Sequence, residues 1–279
     1  MNDSTATEQP LVLIKYGGNA MRNEDLQRAV IDSIRQLRDR GRRVVVVHGG
    51  GPFIKRMLET VKIESEFIEG HRKTTPEALK YIEMALKGEV NGQLVSLLNQ
   101  TGQRAVGLSG KDGKMVEAVK RYHIVEKDGE STRYDLGQVG DVAKVDTSLI
   151  QLLLGQNYLP VITCIASDKE GQDFNINGDM FAGHLAGALG VDQYLVLTDV
   201  DGLMRDIRQP DTLIPSLPLK ELKSLYGSVI KGGMIPKMES CQIALEKGAK
   251  TARIINGTQP EQILDAVLTE QPIGTKIYQ

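Results

Sequence analysis

The 279-residue sequence has no tryptophan, four phenylalanines and two cysteines, and its 34 basic against 36 acidic residues leave a net charge of −2. Each shortage excludes a class of function. With no basic surplus there is no field to hold a polyanion, and with so few large rings there is little for bases to stack on, which argues against nucleic-acid binding. Cys164 and Cys241 are too few for a disulfide framework and stand among apolar neighbours, as reduced core thiols do. No stretch approaches the roughly 20 apolar residues of a membrane span. The opening MNDSTATEQP is polar, without the apolar segment of a secretory leader, so a soluble cytoplasmic protein is expected. The Walker sequence, GxGxxG, HRD, DFG and HExxH are missing as well, so any nucleotide must be held in another way.

What is present is a large apolar complement, 41% of residues, enough for one big α/β domain or two fused lobes. The stretch RRVVVVHGGGP at 42–52 runs four valines into His48 and three glycines. A short β-branched run of this kind predicts a strand buried on both faces, as in a parallel sheet between helix layers. The glycines strip Cβ atoms from its carboxyl end, and Pro52 starts a helix over 53–61 whose N-terminal dipole points at the same spot. A phosphate or carboxylate fits there; a tight strand-to-helix turn with no ligand is the other reading, and the rest of the chain decides between them. Leu11–Tyr16 repeats the pattern before Gly17-Gly18-Asn19-Ala20, and a helix over 24–40 joins the two strands. This βαβ unit sets two anion-binding turns side by side at the carboxyl edge of the sheet. Lys15 breaks an otherwise apolar strand at that edge, which is costly unless the side chain snorkels or meets an anion.

Further along, 62–75 is a polar connection carrying Gly70, His71 and Arg72, with Thr74 or Thr75 capping the next helix. Apolar residues keep helical spacing over 77–100, as one helix or two joined at Gly88, and so long an amphipathic helix suits a subunit interface. Alternating runs at 114–141, broken by Asp128-Gly129 and Gly137, predict β-hairpins outside the parallel sheet, placed as a lid. The segment 175–179, NINGD, precedes a helix over 180–189 for which Asp179 is the expected N-cap. After a strand at 193–197, Asp199 and Asp201 either touch a nucleotide or shape the turn. In GGMIPK, 232–237, Lys237 sits in a first helical turn against the dipole, so an anion should compensate it.

Taken together, LIKYGG, VVHGGGP, GHRKT, NINGD, LTDVDGL and GGMIPK resemble, in order and spacing, the motifs of the amino acid kinase family, and most closely its members that phosphorylate the γ-carboxylate of N-acetyl-L-glutamate in arginine biosynthesis. The resemblance runs from residue 11 to the C-terminus. It implies an open, mainly parallel three-layer α/β/α sandwich, with 11–179 as the amino-acid-binding lobe and 180–279 as the ATP-binding lobe. It implies ATP with Mg²⁺ as cofactors and a homodimer, built here on the helix 77–100. By the same resemblance, Lys15 and Lys237 neutralise the phosphoryl group in transfer and Asp179 holds both. Gly50, Gly51, Arg72 and Asn175 receive the amino acid, Arg72 at its α-carboxylate and Asn175 near its acetylamino group. Gly17, Gly18, Asp199, Gly202 and Lys237 receive the nucleotide, and no residue is assigned as a metal ligand.

The chemistry agrees with that set. A γ-carboxylate with an ordinary pKa of about 4.3 is already ionised at neutral pH, so the reaction calls for positive charge and no general base. His71 and His184 are read as structural and Lys111 as a turn residue. Two positions depart from the family pattern, Lys73 in GHRKT and Gly178 in NINGD. A carrier-linked aminoadipate or glutamate kinase is the nearest alternative, but its Ser-Arg pair in the GHRKT loop is missing. A non-catalytic nucleotide-binding regulator of the same fold is another, against which both lysines and Asp179 speak. Arginine-inhibited members of the family carry an extra N-terminal helix and a His, a Glu and a Gly that align here with Arg253, Ala266 and Pro272, so weak or no inhibition by arginine is expected.

Overall fold

The computed structural model describes residues 9–17, 21, 23–64, 66–68, 71–127 and 130–279, without the side chains of 67, 68, 71, 72, 126, 127 and 130. The chain opens with β1 (Leu11–Tyr16), α1 (Glu24–Asp39) and β2 (Arg43–His48). Asn23 caps α1 by accepting from the Leu26 N–H, and Gly41, at φ 76°, turns the chain back into β2. Then follow α2 (Gly51–Thr60), the short strands β3 (Phe67–Ile68) and β4 (His71–Arg72), α3 (Pro76–Glu83) and α4 (Gly92–Gln100). A π-helical stretch, Met84–Asn91, joins α3 to α4 without a break. Of the two expected forms of 77–100, one helix or two joined, the continuous one is present, with its middle turns widened across Gly88.

The next elements are β5 (Ala105–Ser109), β6 (Val116–Lys127), β7 (Glu130–Val145), α5 (Ser148–Gly155), β8 (Leu159–Thr163), β9 (Ile165–Ser167), β10 (Asp173–Ile176) and α6 (Gly178–Ala188). The chain ends with β11 (Gln193–Thr198), β12 (Ser216–Pro218), α7 (Leu222–Leu225), α8 (Met234–Glu246), β13 (Thr251–Asn256), α9 (Glu261–Leu268) and β14 (Thr275–Tyr278).

Eight strands form one sheet in the order β12-β14-β13-β11-β1-β2-β8-β5. Every neighbouring pair is parallel except β13 with β14. Side chains alternate between two cores, as the period of two in a strand requires. Leu13, Val45, Val47, Val196 and Ile254 join one cluster with Ile82, Phe181 and Met238, whereas Val12, Ile14, Val44, Val46 and Leu195 join another with Ile34, Leu94 and Ile263. Helices thus cover both faces, and the central valines, each worth roughly 1.5–3 kcal/mol when fully buried, are why these strands sit inside the sheet.

The helix 76–100 belongs to both cores: Leu79, Ile82 and Leu86 pack in the first, Val90, Leu94 and Leu98 in the second. Its π stretch is where it passes around the end of the sheet. This corrects the expected subunit contact, because the apolar face assigned to a symmetry mate is consumed within the chain. The hairpin at 114–141 is present as β6 and β7, which close with β9 and β10 into a four-stranded ring apart from the main sheet. Its expected turn, Asp128-Gly129, lies outside the described residues. Gly137, at φ 73°, lies against Thr74 so closely that a Cβ would strike the Thr74 carbonyl. That contact ties the hairpin to the segment just after Arg72.

Candidate active site

Three elements converge at the carboxyl edge of the sheet. Lys15 ends the apolar part of β1, in register with Val47 of β2 and Val196 of β11. Asp179 lies in the first turn of α6 and Lys237 in the first turn of α8. The Lys15 Nζ stands 2.8 Å from Asp179 Oδ1 and the Lys237 Nζ 3.0 Å from Asp179 Oδ2, so one carboxylate holds two ammonium groups. Lys15 is 7% and Asp179 6% exposed. Burial pushes the Asp179 carboxyl up, but the Lys15 and Lys237 charges outweigh that and hold it below the usual carboxylate value. The cluster carries a net positive charge at a site where little water screens it. Both anomalies of the sequence, a lysine in an apolar strand and another against a helix dipole, thus resolve onto one aspartate.

Backbone packing brings the charges together. Gly183 of α6 lies directly against Ser240 of α8, where any Cβ would strike the Ser240 backbone, and this lets the two helices approach closely. The Tyr194 hydroxyl lies 3.2 Å from Ser240 Oγ and 3.4 Å from the Asp179 carbonyl, and Ser240 Oγ donates to the Lys237 carbonyl at 2.7 Å. Neither Tyr194 nor Ser240 was singled out from the sequence, because a tyrosine in a strand and a serine in a helix carry no mark of this bridge. One expectation is corrected. Asp179 is not the N-cap of α6; Asn177 is, accepting from the Asp179 and Met180 N–H groups. With the cap supplied by Asn177, the Asp179 carboxylate is free for the lysines.

Gly17 and the glycines that follow β2 flank this cluster. A Cβ on Gly17 would stand 2.6 Å from the Lys15 Nζ, so the bare glycine leaves room for the lysine to reach Asp179. Gly18 lies outside the described residues. Gly50 precedes α2 and Gly51 opens it, and a Cβ on Gly50 would stand 2.6 Å from Leu86 Cδ2 in the π stretch. Gly178, one of the departures from the family pattern, leaves only ordinary contacts for a Cβ, 3.5 Å to Gly49 Cα and 3.8 Å to Cys164 Sγ. An alanine fits there equally well.

Asn175 is half-buried on β10, paired with Val139 of β7 and Ile165 of β9, beside the turn that leads to Asp179. Arg72 lies on β4, opposite Phe67, and its side chain is outside the described residues. Lys73 is spoken for by Glu66 at 2.9 Å. Lys111, expected as a turn residue, also bridges Glu83 and Asp173 at 2.7 and 2.8 Å and so ties its turn to α3 and β10. On the other side, Asp199 is exposed at the end of β11 and Gly202, at φ 143°, packs on Thr275. Asp201 accepts from Asn256 at 2.7 Å and so shapes the turn. A cavity of about 380 Å³ opens here, lined by Val200, Gly202, Met204, Arg205, Ser228 and Lys231 among others. Among the described residues no group of three His, Cys, Asp or Glu converges as a metal cage, and no helix is long and apolar enough to cross a membrane.

Burial raises both thiols, Cys164 to about 11, so each is an inert core residue at neutral pH. His48 shows the opposite shift: its imidazole is fully buried and burial lowers it from 6.5 to about 4. The unfolded chain therefore takes up this proton first. The stability that His48 contributes is intact above pH 6.5 and drains away as pH falls through 4, by about 3 kcal/mol in all. His184, lowered by burial, adds in the same direction. Urea midpoints should fall across this window in the native protein and fall less in His48→Asn; parallel curves for the two would contradict the assignment.

A parallel α/β sheet whose carboxyl edge gathers two lysines on one aspartate, beside Gly17, the glycines 49–51 and a cavity, defines a phosphotransferase without a Walker loop. The chain belongs to the amino acid kinase family, whose model matches residues 10–256. It is 43% identical over 267 residues to the acetylglutamate kinase of Methanococcus maripaludis, covering 95% of this chain and 91% of that one. To the acetylglutamate kinase of Methanocaldococcus jannaschii it is 43% identical over 269 residues, 96% of this chain and 90% of the other. In fold it is similar to the carbamate kinase of Giardia lamblia bound to AMP-PNP, with a TM-score of 0.68 at 18% identity, covering 97% and 98% of the two chains.

Proposed function

We propose that the chain is a kinase that transfers the γ-phosphoryl group of ATP to the γ-carboxylate of N-acetyl-L-glutamate, giving the 5-phosphate and ADP in arginine biosynthesis. The observation that carries this reading is the pair of ammonium groups on Asp179, in a chain that shares 43% of its residues with acetylglutamate kinases over nearly its whole length. In the reaction a carboxylate oxygen bonds to the γ-phosphorus while the bond from that phosphorus to the β,γ-bridging oxygen breaks, and the electron pair leaves with ADP. Both reactants are anions. Lys15 and Lys237 supply the charge that lets them meet, and glycine amides and the N-termini of α2 and α8 add to it. Asp179 takes no proton. With both oxygens on lysines and its pKa held low, it acts as the clamp that fixes where those charges stand.

Mg²⁺ enters this scheme as part of the MgATP substrate, carried by phosphate oxygens. That agrees with a site whose central carboxylate is already occupied by lysines. The division of labour proposed is 11–179 as the amino-acid lobe and 180–279 as the ATP lobe; a strand order with β11 to β14 at one end and β1, β2, β8 and β5 at the other supports it. Gly17, Gly18, Asp199, Gly202 and Lys237 are assigned to the nucleotide, and Gly50, Gly51, Arg72 and Asn175 to the acetylated amino acid. A cytoplasmic homodimer is the assembly that goes with this reading.

A coupled ADP assay comparing N-acetylglutamate with glutamate, aspartate and N-acetylaspartate tests the substrate: ADP release should depend on the first alone. Arg72→Ala should raise the KM for N-acetylglutamate by about tenfold or more, as loss of a charge-assisted pair worth roughly 1.5–3 kcal/mol implies, and leave ATP affinity unchanged. Equal losses for both ligands would place Arg72 in the fold or at the nucleotide instead.

A further inference from the structure

His48 ends β2, and its contacts form a short chain of hydrogen bonds from the core to the glycine turn. The Nδ1 atom lies 2.9 Å from the carbonyl oxygen of Gly49, and Nε2 lies 2.9 Å from Asn91 Nδ2. The same Asn91 nitrogen donates to the Val161 carbonyl of β8 at 2.9 Å. A carboxamide nitrogen has only hydrogens to offer and a carbonyl only lone pairs. Nε2 is therefore the acceptor and Nδ1 carries the hydrogen: one neutral tautomer, fixed from both sides. The burial that lowers the ring's pKa keeps it neutral.

Asn91 is itself held in place. It closes the π stretch of the long helix and is 2% exposed. Its Oδ1 lies over the bare Cα of Gly107 in β5, where any Cβ would strike it. The sequence carried a faint sign of this residue, a polar side chain three positions before Leu94 and seven before Leu98, on a stripe otherwise apolar.

The consequence falls on the peptide between Gly49 and Gly50. No described peptide bond is cis, so a Gly49 carbonyl held toward the buried ring sends the Gly50 N–H the opposite way, away from the ring. Gly49 also packs beside Gly178, the residue before Asp179, so the turn borders the lysine cluster. We propose that His48 is a positioning residue: together with Asn91 it locks the Gly49–Gly50 peptide so that the Gly50 N–H faces the anion gathered by Lys15 and Lys237. This rests on the phosphoryl-transfer reading above. A run of three glycines has the widest backbone freedom of any sequence, and a donor that had to be ordered at each turnover would lose much of its worth. The ring supplies the order beforehand.

A core-filling histidine and a positioning one part company in kinetics. With ATP and N-acetylglutamate, His48→Leu should lower kcat by about 10²-fold, the usual loss for one oriented donor, with both KM values within about threefold. His48→Asn keeps an N–H near the Nδ1 position and should recover kcat to within about tenfold of the native enzyme. Equal kcat values for the Leu and Asn variants would overturn the proposal. So would nitrogen NMR of the native protein showing at neutral pH that Nδ1 is the bare ring nitrogen, a readout that requires neither a folded variant nor turnover. A native enzyme that releases no ADP with N-acetylglutamate sinks the substrate reading instead, and the ring spectrum still decides the lock.

Discussion

Asp179→Asn should lose turnover by on the order of 10²-fold or more and at the same time destabilise the fold by about 3–5 kcal/mol, the usual penalty for breaking a buried ion pair from one side. The amide cannot balance Lys15 and Lys237, so two ammonium groups would face each other across an uncharged side chain, one of them 7% exposed. ATP affinity should not fall, because the uncompensated lysines still attract its phosphates. Urea unfolding, nucleotide titration and the ADP assay read the three effects separately. A variant as stable and as fast as the native enzyme would remove Asp179 from the centre of the site.

Lys237→Ala should lower kcat by on the order of 10²-fold or more while moving the KM values for ATP and the amino acid far less, because its charge is needed most where the phosphoryl group is in flight. Half of the clamp survives in this variant. Lys15 remains on Asp179 at 2.8 Å, so the destabilisation should be smaller than for the aspartate change. A near-native rate at saturating ATP would mean that Lys237 is a helix-end lysine without a part in transfer.

The elements that bear the site were legible because their sequences are locally unambiguous. Val44–Val47 followed by three glycines has few other readings, and Lys15 and Lys237 stand out as charges where charge is expensive. One misreading was a choice between near neighbours and the other turned on distant contacts. Asp179 looked like a cap because Asp is a good one, but Asn177, two residues earlier, took that place. The long helix looked like a subunit contact because its stripe is apolar, and nothing local reveals that the helix passes around the sheet to fill two cores. Asn91 and His48, 43 residues apart, meet only in the folded chain.

The strand order bears also on how the chain reaches its native state. β1 lies between β2 and β11, and the Leu11 N–H is closed onto Asp192, 181 residues away, at 2.7 Å. Contacts of such sequence separation form slowly, since a long loop must close before they are rewarded. The β1–β2 unit can assemble early from neighbours, and α6 and α8 pack on each other, but Lys15 cannot meet Asp179 until α6 has docked on β1. Recovery of activity on refolding is thereby tied to the last slow phase, and a nascent chain still on the ribosome holds Lys15 and Asp179 before it holds a functioning site.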